Sequence, residues 1–583
     1  SNPKEKINLV VTFWNQSLAN YQGTSLSTTT YADFTSEFIT NNPLTTPTVT
    51  DTNLYAGPDY QFTIDSNNLT SLVFFNHHET ESFRFDRNPN PFLKLTTYPL
   101  IKEPLSLNQL DKLPPHPQYQ LVNTEPLRFL VNSSWTPFQT PSLKIIFDLL
   151  KFLLFIITII YFIVPISFFK YLKSHPFTLL IILLGTFFWS VTTVRSGSLT
   201  PYGLSFWGAH SHDATFHLSL IESFKDSFWP LNNPNLTGTV IKNYHFFYDY
   251  LLALISKIFA IPALDLYFRY LPPLLALLTG LLSLNLLRQW KYSTVATNLS
   301  LLFVYFTGSL GFIPNLLQQK GLFGGESIFW MQQNVTTLIN PPFAFSLIIL
   351  LLIFNLLESW QKRPTLKHFL ILALLSGILI QIKAYALVLL LLSLGITTIF
   401  SGSKTRPNLI YLTLAIFLTT ILFFLPSYSS GSLFVFKPFW FVNSMVAAQD
   451  RLNWEAAANA WQAYQANTQF GKLFLLHLLT TTIFFTGNLG IRLFALPRWW
   501  SNFTGSLTER LSSWIVLIGL ALPFIFIQSG NSWNSIQFSY YSLFFLSLLL
   551  GPIIVRLLTN QHTLPQFIFC LFLILFMTLP TTI

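Results

Sequence analysis

Cysteine occurs once in this 583-residue chain, at Cys570, so no internal disulfide, CxxC metal site or paired-thiol chemistry can form within it. Any metal site must draw on histidine and carboxylate. Charge is scarce as well: Asp, Glu, Lys and Arg make up 10% of the residues, against about a quarter in an ordinary soluble domain. A soluble enzyme is thereby disfavoured. A glycine-rich fingerprint of the Rossmann type is also lacking, which removes the usual means of gripping a nucleotide. In place of these the chain is 51% hydrophobic, with 60 Phe, 22 Tyr and 15 Trp, arranged in repeated runs long enough to cross about 30 Å of hydrocarbon. This is the composition of a polytopic α-helical membrane protein.

The formal net charge of +10 hides an asymmetry, because residues 1–143 hold 8 Lys/Arg and 12 Asp/Glu while the remainder holds 25 and 11. Nucleic acid would need a solvent-facing basic patch. Here the cations sit mainly in short tethers between apolar runs, where basic residues mark cytoplasmic loops, and nucleic acid is discarded as a partner. The chain opens at Ser1 on a polar stretch without a hydrophobic signal segment, so an upstream region is expected to have been cut off or left out.

Residues 1–143 are rich in Thr, Asn, Pro and aromatics and contain alternating runs at Tyr60–Asp65, Ser71–Phe75 and Ser82–Asp86. That period of two predicts strands, hence a β-rich extracytoplasmic domain, for which a packing role is favoured over carbohydrate binding. Residues 144–176 hold an extra transmembrane helix and a cytoplasmic turn, and residues 177–583 the main transmembrane domain. The apolar runs fall at about 145–169, 177–194, 244–261, 264–287, 294–313, 341–358, 367–382, 384–401, 408–426, 472–489, 511–528, 538–557 and 564–583, which predicts about 12–13 transmembrane helices. Short connectors carry Lys170/Lys173, Arg288/Lys291, Lys362/Arg363/Lys367, Lys404/Arg406 and Arg492/Arg498 and are assigned to the cytoplasm. Connectors 195–243, 314–340, 427–471 and 529–537 then lie outside with residues 1–143. One inconsistency remains: two runs separate 195–243 from Arg288, where an odd number of crossings is required. Either one run is short, re-entrant or interfacial, or Arg288 is outside.

The densest polar constellation is WGAHSHDATFH (Trp207–His217) in the first outer loop, with His245 close behind in NYHFFYDY. Phe216, Leu220, Phe224 and Phe228 recur at spacing four, predicting an amphipathic helix on the membrane surface. Asp213 falls in its first turn, where a carboxylate can simply cap backbone N–H groups. Carboxylate and imidazole clustered at an interface can also serve as base or bind a cation. Asp213 and His217, four apart and sharing a face, are the candidate ligands of a divalent cation, Mg or Mn.

A long first outer loop with an acid just after a transmembrane helix, an amphipathic juxtamembrane helix and a further helix opening on a basic/aromatic motif resembles the GT-C superfamily of membrane glycosyltransferases. The segments HDATFHLSLIESF, NYHFFYDYLLALISK and RYLPPLLALL are similar, more narrowly, to bacterial multi-pass proteins related to the mannosyl- and arabinosyl-transferring branch. The resemblance covers roughly residues 177–583. It implies a GT-C-like fold in a bacterial plasma membrane, with Asp213 as the first-loop acid that activates the acceptor or helps hold a cation. The family's frequent paired acid is missing, since His212, Ala214 and Thr215 are the neighbours. His212 or His217 then stands as the substitute, and His245 and Arg269 match a His/Lys and an Arg of the relatives.

Independently of that resemblance, Lys383 interrupts a long apolar stretch, and an isolated cation there is costly and usually functional. It could bind a lipid phosphate at an outer turn, or snorkel from a helix end. Gly325–Pro342, with Asn340, and Gln528–Ser542, with Asn531, Trp533 and Gln537, are amide- and aromatic-rich. Such surfaces suit sugars, and Tyr244 joins them as a candidate substrate contact. The function expected is transfer of a sugar from a polyprenyl-phosphate-linked donor to a glycan, lipid or protein acceptor on the extracytoplasmic face, with inversion. Lys383, His245 and Arg269 would bind the donor phosphate. The competing readings are a transporter or flippase of lipid-linked saccharides and a noncatalytic assembly protein.

Overall fold

The computed structural model describes six strands between Leu54 and Asn132 and, from Ile166 to Thr581, all residues except 201–202, 208–209, 211–212, 227–232, 235–238, 426–427, 429–433, 497–504, 562 and 579. The chain divides into two compact units, Ser1–Ile145 with Gly197–Phe206, and Ile146–Ser196 with Trp207–Ile583. In the first unit, β1 (Leu54–Ala56), β2 (Tyr60–Asp65), β3 (Asn68–Phe75) and β4 (Ser82–Asp86) form an antiparallel meander. Its register shifts between Thr63 and Ile64. Hairpins β5 (Tyr119–Thr124)–β6 (Leu127–Asn132) and β7 (Ser198–Thr200)–β8 (Gly203–Ser205) belong to the same unit.

The second unit is helical. Its elements are α1 (Ile166–Ser174), α2 (Pro176–Thr193), α3 (Asp213–Asp226), α4 (Phe247–Phe259), α5 (Ala263–Gln289), α6 (Thr294–Phe306), α7 (Phe312–Leu317), α8 (Pro341–Lys362), α9 (Leu366–Gly377), α10 (Ala384–Ile399) and α11 (Arg406–Phe424). Strand β9 (Phe434–Phe436), α12 (Trp440–Ala447), α13 (Glu455–Ala466), α14 (Phe470–Leu489), α15 (Leu507–Ile525), β10 (Phe526–Gln528), α16 (Gln537–Thr559) and α17 (Leu564–Phe576) complete it. Among the described residues six helices, α5, α8, α11, α14, α15 and α16 with their short extensions, are long and apolar enough to cross a membrane, and five shorter helices are apolar. The protein is a helical membrane protein.

These eleven helices coincide with eleven of the thirteen expected runs. The first run lies largely outside the described residues, α1 being its end. The run at 244–261 is α4, only 13 residues long and short of the roughly 20 that a bilayer requires. Of the two runs between 195–243 and Arg288, α5 is among the helices long and apolar enough to cross a membrane and α4 is not. Arg288 sits 4.0 Å over the Tyr171 ring of α1, so it shares an end of the bundle with Lys170 and Lys173. At that end Trp290 Nε1 donates to Thr508 Oγ1 at 2.8 Å, and the Thr508 hydroxyl donates to Glu358.

One basic connector departs from expectation. Arg492 is fully buried, donating to the carbonyls of Thr307 (2.9 Å) and Gly308 (3.4 Å), to Gln333 Oε1 (2.7 Å) and to Ser547 Oγ (2.9 Å). A guanidinium so enclosed holds elements together and casts no vote on sidedness. Its companion Arg498 lies outside the described residues.

Without water to drive helix association, packing relies on small residues and hydrogen bonds. Gly185 and Gly280 face Tyr305, whose hydroxyl donates to the Ala276 carbonyl at 2.8 Å while Trp189 Nε1 donates to the Tyr305 carbonyl at 2.9 Å. Helices α6 and α16 meet where Ser300 Oγ donates to the Leu548 carbonyl at 2.7 Å. A Cβ on Gly551 would fall 2.1 Å from the Ala296 carbonyl oxygen, whereas one on Gly395 meets nothing within 4 Å. Gly551→Ala is therefore expected to destabilise the bundle by about 1–3 kcal/mol, read as a lowered thermal midpoint in nanodiscs. Gly395→Ala should leave the midpoint unchanged or raise it slightly.

Candidate active site

Helix α3 begins at Asp213, which stays exposed on its first turn, and its buried face is Ala214, His217, Leu220, Ile221 and Phe224. Leu220 and Phe224 of the expected 216/220/224/228 stripe lie on this buried face, which also includes His217, while Phe216 is half-buried and Phe228 lies outside the described residues. Phe224 packs against Phe246 and Tyr250 of the α4 region. His217 meets Asp249, and the Lys257 ammonium donates to the Lys225 carbonyl at the end of α3. Both contacts have the same sequence offset of 32, so α3 and α4 run in the same direction.

This pairing buries a carboxylate. Asp249 is 0% exposed, and its two oxygens each lie 3.0 Å from His217 Nδ1. The imidazole sits between rings, with Tyr267 stacked at 6.0 Å and Tyr244 tilted at 6.4 Å. Tyr267 comes from a π turn, Leu266–Tyr270, at the start of α5, a distortion frequently found at functional sites. Burial, then Asp249 and Asp213, hold the Tyr244 phenol well above its ordinary range.

A second group adjoins the first. Helix α9 ends in a 3₁₀ turn, Ile378–Gln381, and α10 starts afresh at Ala384, leaving Lys383 extended at its N-cap. Lys383 is 4% exposed, yet Nζ has only two hydrogen-bond partners among the described residues, His245 Nε2 and Asn340 Oδ1, both at 3.4 Å. An ammonium offers three donors, and contacts this long are weak. Burial lowers Lys383 to about 8, against the opposing pull of Asp213 and then Asp249. His245 is held well below the ordinary imidazole range by burial, then by Lys383 and His217. Neutral, it can accept from the ammonium. Asn340 also caps α8, accepting from the Phe343 N–H at 3.1 Å. Two helix N-termini, those of α8 and α10, accordingly meet at Lys383, and such termini favour anions.

The remaining candidates are distributed as follows. His212 lies outside the described residues. Arg269 ion-pairs with Asp265 at 3.1 Å, so its charge is matched locally. His210 is buried against Ser196 Oγ at 2.7 Å and lowered by burial. Among the described residues no three His, Cys, Asp or Glu side chains gather as a metal site. The two amide- and aromatic-rich segments do converge: Trp533, 60% exposed, lies 5.6 Å from Trp330. Asn531 Oδ1 accepts from the Trp533 N–H at 3.2 Å, and Gln537 Nε2 donates to Asn534 at 3.4 Å. Asp249 is the residue that sequence reasoning passed over. Its signal was available, since a lone carboxylate within FFYDYLLALI invites the argument applied to Lys383.

No protein-family model matches the chain, and no curated protein matches it by sequence. Among solved structures it is similar to the apo crystal structure of the Archaeoglobus fulgidus oligosaccharyltransferase (13% identity, TM-score 0.40). It is also similar to the archaeal oligosaccharyltransferase AglB from Archaeoglobus fulgidus in complex with an inhibitory peptide and a dolichol-phosphate (11%, 0.38). Each similarity covers 69% of this chain and 54% of the other, so the chain spans about half the length of these structures.

A further polar junction ties the 307–340 connector to the bundle. Glu326 accepts from the Gln333 N–H at 2.6 Å and from the Thr336 hydroxyl, and Gln333 in turn binds Arg492. Burial raises the Glu326 carboxyl from 4.5 to about 7. A raised folded-state value means stability present below about 4.5 that declines as pH rises through about 7. Thermal unfolding is expected to show this loss in the parent and a flatter pH dependence in Glu326→Gln. Equal slopes would contradict it.

Proposed function

We propose that this membrane protein is a glycosyltransferase that moves a sugar from a polyprenyl-phosphate carrier to a hydroxyl of a glycan, lipid or protein acceptor. The observation that carries this reading is Lys383, a buried ammonium with two long hydrogen bonds, set where two helix N-termini meet. Such a place suits an anion. A lipid phosphate brings one, and its leaving oxygen gains negative charge as the anomeric bond breaks, so a preorganised cation favours the transition state over the ground state. His245 and Asn340 orient the ammonium. Asp213 and His217 are the proton acceptors beside it, and a single displacement inverts the anomeric carbon. Tyr244, Asn531, Trp533 and Gln537 offer amide and aromatic contacts suited to a sugar, and the extracytoplasmic face is the side on which the basic connectors are absent.

Decaprenyl phosphate titrated into nanodiscs containing the full chain tests the phosphate site. Lys383→Met keeps the bulk and removes the charge, and is expected to weaken binding about 30-fold or more, the consequence of losing a buried charge partner. In the parent, affinity should fall as pH rises through about 8, where Lys383 loses its proton. A well-folded Lys383→Met protein with undiminished affinity would return Lys383 to a structural role.

A further inference from the structure

We infer that Asp249 is a positioning residue that holds His217 with its proton on Nδ1, so that His217 Nε2 is the atom that takes the proton of the attacking hydroxyl. The inference rests on the function proposed above and decides between its two proton acceptors.

The two oxygens of Asp249 stand equidistant, at 3.0 Å, from Nδ1. With Asp249 ionised, as the adjoining His217 and Lys383 favour, its oxygens only accept, so Nδ1 is the donor and the neutral ring's lone pair is left on Nε2. Nε2 makes no hydrogen bond among the described residues, and it is not one of the sealed polar atoms. The flanking rings of Tyr267 and Tyr244 restrain the imidazole from turning over. Tyr244 links the two groups, its ring 6.4 Å from His217 and 4.5 Å from His245, and His245 is the partner of Lys383, so base and phosphate cation belong to one cluster. Asp213 is exposed in the first turn of α3. It contributes charge opposite Lys383 without the enclosure that fixes a base in one orientation.

In the step assigned, the acceptor oxygen forms a bond to the anomeric carbon as its proton passes to Nε2. The bond from that carbon to the phosphate oxygen breaks, and its electron pair leaves with the phosphate held by Lys383. The imidazolium that results donates from Nδ1 to the Asp249 carboxylate. It returns the proton to solvent before the next turnover.

Nitrogen-15 NMR of the full chain in nanodiscs, labelled at histidine and assigned by difference against His217→Gln, reads the tautomer directly. The expected spectrum shows His217 protonated at Nδ1 in the parent and a redistribution towards Nε2 in Asp249→Asn, with decaprenyl phosphate still bound by both proteins. A parent ring protonated at Nε2, or a tautomer indifferent to Asp249→Asn, overturns the inference. With decaprenyl-phosphate mannose as probe donor, Asp249→Asn should lower kcat by about a hundred- to ten-thousand-fold at unchanged donor KM, and more than Asp213→Asn does. The opposite order also overturns it. A parent that neither binds decaprenyl phosphate nor uses this donor counts against the function proposed above and leaves the tautomer as the deciding readout for Asp249.

Discussion

An ammonium cannot be taken out of water without compensation, and the arrangement around Lys383 follows from that constraint. The chain breaks between α9 and α10 to place it, bringing an unwound turn to a region otherwise made of continuous helix. Asn340 caps α8 so that its remaining interaction reaches the same ammonium. His245 is held neutral and can accept. These compensations are partial, because both hydrogen bonds are long and the nearby carboxylates act on Lys383 only through the field. A group held in this state is stabilised further by an anion.

A second buried pair is resolved in the opposite manner. Asp249 is matched at close range by His217. The two groups are therefore complementary in what they leave open: Lys383 offers positive charge, and the His217 ring offers a lone pair. Displacement at an anomeric carbon needs both, one for the departing phosphate and one for the entering hydroxyl. The buried Arg492, by contrast, gives four of its five N–H donors to protein acceptors. Its role is to pin the 307–340 connector, whereas Lys383, held by two long hydrogen bonds, is the cation on which the proposed phosphate site rests.

Much of the fold was legible because hydrophobic length is a robust signal: eleven apolar helices stand where eleven runs were expected. The α4 segment stayed open because apolarity does not reveal whether thirteen residues cross a membrane or lie along another helix. The stripe of α3 was legible at Leu220 and Phe224, but spacing counted from phenylalanines left out His217, whose burial depends on a carboxylate 32 residues away. Arg492 looked like a loop cation because its four acceptors come from distant segments. Lys383 could be singled out by its isolation, and Asp249 by the same test, but their relation to His245, Asn340 and His217 is tertiary. Periodicity contains no trace of it.

The central claim is that a lipid phosphate completes the Lys383 site, and the most direct test is a cryo-electron microscopy structure of the full chain in nanodiscs with decaprenyl phosphate. The account predicts phosphate density with an oxygen within about 4 Å of Lys383 Nζ, beside Asn340 and His245 and open towards His217. Phosphate density bound elsewhere on the chain, with Lys383 still joined only to His245 and Asn340, would contradict it.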